Sequence, residues 1–80
     1  MNTEWILTQL REALDELTQT IAALEREPGR EEFEVGMGHL YHHLNTAWNS
    51  RTAAAAVIDA QTQDDFDRWR RFPKNEEFGF

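Results

Sequence analysis

The chain has no cysteine, two prolines, four glycines and a single serine among its 80 residues. Without cysteine there is no disulfide staple and no thiolate metal site. No segment approaches the roughly twenty apolar residues that cross a bilayer. The opening MNTEWILTQLREAL also lacks a basic start followed by an unbroken apolar run, so the expectation is a cytoplasmic protein with no membrane contact. The lone Ser50 lies seven residues from His43, roughly 10 Å of helical rise, outside the reach a nucleophile and its base require. No G-x-S-x-G elbow, phosphate loop or dinucleotide fingerprint occurs, and the string LYHHLNTAWNSR carries no mechanism with it. The expectation is a protein without a catalytic centre.

Charge is missing from one stretch only. Aspartate, glutamate, lysine and arginine form 29% of the sequence, yet Val35 to Ile58 holds one formal charge, Arg51. A surface helix normally carries a charged face opposite its apolar stripe. This one therefore needs cover on more than one side.

The overall balance is acidic, with a net charge of −7, which disfavours binding to nucleic acid because phosphates are gripped by lysine and arginine. Residues 1–34 hold nine acids against three arginines, whereas Arg68-Trp69-Arg70-Arg71-Phe72-Pro73-Lys74 is locally basic. That basic run mixes aromatics and arginines as single-strand binders do, but it better suits docking of its aromatics into a groove beside acids of the first helix such as Asp15, Glu16 or Glu25.

Leu7, Leu10, Leu14, Leu17, Ile21 and Leu24 follow an alternating three-four spacing, a coiled-coil-type seam that predicts a helix over residues 3–27 capped by Asn2 or Thr3. Pro28 and Gly29 interrupt it, with the glycine suited to a left-handed helix terminus, so a turn is predicted at 28–30. A second helix over 31–61 would start with Glu31, Glu32 and Glu34 at its positive end. Its seam would be Phe33, Met37, Leu40, Leu44, Ala47, Arg51, Ala54 and Ile58. Pairing the seams places Leu24 near Phe33, Leu17 near Leu40 and Leu14 near Leu44. Gly36 and Gly38 suggest close backbone approach or an irregular helix start. Thr62 and Asp65 form a variant capping box for a short helix over 63–72, followed by an extended tail at 73–80.

The predicted fold is all-α, a single domain at 1–72 in which an antiparallel helical hairpin carries a short C-terminal helix or arm. An 80-residue chain buries a smaller fraction of its surface than a full-sized domain does, and two helices bury one stripe each. Pairing as a homodimeric four-helix bundle is the simplest remedy. The interface expected is the uncharged flank Tyr41, Asn45, Trp48 and Thr52 with Phe66, Trp69 and Phe72, whose aromatics combine contact area with hydrogen-bonding ends. Function on this reading is self-association or binding of a protein partner, with no cofactor.

The alternative is a divalent-metal bundle, which as an oligomer would open the way to a metal-dependent enzyme. His39 and His43, four residues apart, can chelate zinc, nickel or copper from one helical face. The pair lacks the glutamate of H-E-x-x-H, since Leu40 follows His39, so Glu32 or a second chain would have to complete it.

Overall fold

The computed structural model describes residues 1–80, and every regular element is helical. The helices are α1 (Thr3–Arg26), α2 (Arg30–Asn49), α3 (Ala55–Asp59) and α4 (Gln63–Trp69), followed by a 3-10 turn at Asn75–Phe78. No helix is long and apolar enough to cross a membrane.

Asn2 caps α1 as its sequence position implies, accepting from the Trp5 amide at 3.1 Å. The reversal differs from expectation in its geometry: Gly29 is extended, at φ −144°, so the turn is built from extended Glu27 and Gly29 around Pro28 rather than from a left-handed glycine. Glu31 and Glu32 occupy the first turn of α2, and Glu34 pairs with Arg30 one turn back at 2.8 Å.

Helix α2 ends at Asn49, twelve residues before the predicted Gln61. The Ala53–Ala56 run would extend a helix by propensity, but side chains at the terminus satisfy its last carbonyls instead. Ser50 Oγ donates to the Thr46 carbonyl at 2.5 Å and Arg51 Nη1 to the Trp48 carbonyl at 2.7 Å. The chain turns there, and α3 returns with Ile58 buried. Helix α4 begins on the predicted Thr62–Asp65 capping box, with Thr62 Oγ1 accepting from the Asp65 amide and Asp65 Oδ2 from the Thr62 amide. It ends at Trp69 rather than residue 72, and the tail expected to be extended closes into its 3-10 turn.

The two long helices approach most closely beside the leucine row, of which Leu24 is half-buried and Leu7, Leu10, Leu14, Leu17 and Ile21 are exposed. The stripe of α1 that faces α2 contains Gln9, Ala13 and Thr20, opposed by Gly36, His43, Ala47 and Ser50. Gly36 allows this approach, because a Cβ there would collide with the Thr20 side chain; Gly38 faces open space. Small residues bring the backbones together, and the leucines are left about a quarter-turn away.

Candidate functional site

The face of α2 that lacks charge has two partners within the chain. Towards its outer side lies the C-terminal segment. Tyr41 meets Phe72 edge-on at 5.2 Å, His42 packs against Phe66 at 5.1 Å, and Trp48 against Phe78 at 4.5 Å. Polar contacts fix the register of this docking. Asn45 Nδ2 donates to the Arg70 carbonyl, and Asn49 Nδ2 donates to the carbonyls of Trp69 and Arg71 at 2.7 and 2.6 Å. Two α2 amides thus satisfy the open carbonyls at the end of α4. Trp69, 3% exposed, is held between this clamp and Trp5 of α1, ring centroids 6.2 Å apart.

Of the residues expected to meet a second chain, Tyr41, Asn45, Trp48, Phe66, Trp69 and Phe72 are brought together inside one chain, whereas Thr52 is exposed in the turn after α2. Trp48 also donates to Glu77 at 3.3 Å and carries the Arg51 guanidinium 3.9 Å over its ring.

His39 and His43 line the other contact, in a polar groove between α1 and α2. His39 Nδ1 lies 3.6 Å from Glu16, and His43 Nδ1 lies 3.1 Å from both Glu12 and Gln9. Each imidazole therefore answers a different glutamate, and no three histidine, aspartate or glutamate side chains converge on a point where an ion could sit. Burial first, then the charges of His43, Arg70 and His39, hold the His42 imidazole below its ordinary value, against a smaller upward pull from Glu12.

A third surface remains bare. Leu14 is 61% exposed and Ile21 49%, and Leu7, Leu10 and Leu17 are also exposed, although they form the most regular apolar row in the sequence. On α2, Phe33 and Leu44 are exposed, with Met37 and Leu40 partly so. The leucines of α1 sit about 100° round from its small-residue stripe, and Phe33, Leu44 and Met37 sit roughly 60–100° round from Gly36 and Ala47. Because the helices run antiparallel, rotation in the same sense along each carries both rows to one side of the hairpin. They form one apolar face opposite the histidine groove, bordered by Tyr41 and Trp48.

Spacing identified the leucine row but assigned it to the partner helix in the same chain. The signal that separates the two stripes is the run Gln9, Ala13, Thr20 and Ala23, which lies alongside the leucines with the same three-four rhythm and matches Gly36 and Ala47 on α2. Asn49 and Ser50 carried no such signal, because their partners lie far away in sequence. No family model, curated protein or solved structure matches this chain.

Proposed function

We propose that the protein is a non-catalytic self-association module, a homodimer in which the apolar faces of two hairpins join into a four-helix bundle. The observation that carries this reading is the contiguous face formed by Leu7, Leu10, Leu14, Leu17 and Ile21 of α1 with Phe33 and Leu44 of α2. Isolated exposed apolar residues are ordinary, but a continuous heptad row left in water is not.

The surface area supports the same reading. A folded monomer of 9.4 kDa exposes 6013 Å², against about 5,000 Å² for a typical chain of that mass. The excess is close to the ~800 Å² that each partner contributes to a standard interface. The intrachain core points the same way, since its buried apolar side chains are only Ala13, Ala47, Ile58 and Trp69. The cis-docked arm accounts for the cover on Tyr41, Asn45 and Trp48, which leaves the leucine face as the surface for a second copy.

Linkage provides the test. Thermal unfolding of a dimer depends on concentration, so the midpoint should rise by several degrees across about a hundredfold increase in protein. A midpoint that stays constant over that range would contradict the proposal.

A further inference from the structure

Resting on that reading, we infer that the second copy meets the first about a two-fold axis perpendicular to the helices, with α1 packed antiparallel on its counterpart and α2 on its counterpart, centred on Leu14 and the Leu40–Tyr41 step. An isologous interface must be complementary to itself under the rotation that generates it. The apolar row of α1 satisfies this condition. Reversed about Leu14, Leu7 falls on Ile21, Leu10 falls within a residue of Leu17, and Leu14 falls on itself. Leu14 is also the most exposed member of the row.

The row on α2 has the same property about its own centre, between Leu40 and Tyr41. Reversal there places Phe33 against Trp48, Met37 against Leu44, and Leu40 against Tyr41. One axis can serve both helices only if the two centres lie at the same level. The cross-hairpin contacts fix that level: Trp5 meets Ser50, Glu12 meets His43, Glu16 meets His39, and Thr20 faces Gly36. Continued to Leu14, this register sets it beside Tyr41. Two sequence symmetries that are independent of each other are thus brought into line by the fold.

Charge at the border agrees. Arg11 and Asp15 flank the leucine row on its solvent side, both are exposed, and neither forms an ion pair within the chain. The two-fold places Arg11 about two residues, or ~3 Å of rise, from the level of Asp15 in the second copy, within the span of an arginine side chain. The pairing occurs twice by symmetry. It also explains why Tyr41 and Trp48 combine contact with their own arm and partial exposure: they edge the same face, where Phe33 and Leu40 of the second copy reach them.

The absence of native cysteine makes the geometry directly testable, because any introduced thiol is the only one present. A disulfide requires Cα atoms within about 7 Å, so Leu14→Cys, on the axis, should oxidise to a covalent dimer at least about tenfold faster than Leu7→Cys. An equal mixture of Leu7→Cys and Ile21→Cys should give the mixed dimer in preference to either homodimer, which keeps the test intact if Leu14→Cys folds poorly. Sedimentation of the reduced variants separates the two claims. Dimeric reduced proteins that fail to cross-link in this pattern overturn the α1-on-α1 arrangement while self-association stands. Reduced proteins and wild type that are all monomeric overturn both.

Discussion

The indole Nε1 of Trp5 donates to Ser50 Oγ at 2.7 Å, tying the first turn of α1 to the end of α2 across 45 positions of sequence. Ser50 has no exposed surface, and its hydroxyl donates a hydrogen bond to the Thr46 carbonyl. Ser50→Ala leaves the indole N–H and that carbonyl without this shared partner. The expected loss is about 1–3 kcal/mol in denaturant unfolding at fixed protein concentration. A change under about 0.5 kcal/mol would show that water replaces the hydroxyl freely.

The two glycines of α2 should respond in opposite directions. Gly38→Ala enters open space and removes the backbone entropy cost of glycine, stabilising by roughly 0.5–1 kcal/mol. Gly36→Ala gains the same propensity but forces Thr20 aside in the closest part of the helix contact, for a net loss of about 1–3 kcal/mol. Thr20→Ala in the Gly36→Ala background should recover part of that loss. Equal effects at both glycines would mean that α1 and α2 do not approach closely at Gly36.

Thr46 Oγ1 is buried without a hydrogen-bond partner. Thr46→Val keeps the shape and removes an unsatisfied polar atom, so stability should be unchanged or higher by up to about 1 kcal/mol. Chemical denaturation of the two proteins side by side measures this. A loss beyond about 1 kcal/mol would reveal a hydrogen bond made by that hydroxyl.

Acidification should loosen the docking of α4. The His42 ring lies against Phe66 and near Arg70, with His43 and His39 beside it and Glu12 as the one opposing charge. Its folded pKa lies below the ordinary 6.5, so as pH falls the unfolded chain takes up the proton first. The stabilisation is complete above that ordinary value and declines as pH drops through it towards the folded pKa. Thermal midpoints should therefore fall more for wild type than for His42→Gln between about pH 7 and pH 5. Parallel slopes for the two proteins would contradict the assignment.

The local elements were legible where the sequence carries the whole cause. Helix α1 follows from its leucine spacing and Asn2 cap, and α4 begins where Thr62 and Asp65 satisfy each other. The expected extension of α2 rests on the helix propensity of Ala53–Ala56, whereas Ser50 and Arg51 turn back on the carbonyls of Thr46 and Trp48, and Ser50 is held there by Trp5, a partner 45 positions away that sequence spacing does not disclose. The leucine row states that it needs cover and is silent on the source. Ala13, Thr20 and Gly36 decide that α1 and α2 meet through small residues, and only the folded chain shows that choice. The flank around Tyr41 and Trp48, expected to meet a second chain, packs on the arm carrying Phe72 and Phe78 of its own chain.

Sedimentation equilibrium of wild type and Leu14→Glu tests the central claim most directly. Leu14 touches little within its own chain, so a glutamate there should leave the helices intact while placing two carboxylates against each other on the proposed two-fold. Wild type should sediment at twice 9.4 kDa and Leu14→Glu at 9.4 kDa, with helical circular dichroism retained at low temperature. A wild-type mass of 9.4 kDa at every concentration, or a Leu14→Glu protein that remains fully dimeric, would contradict the account.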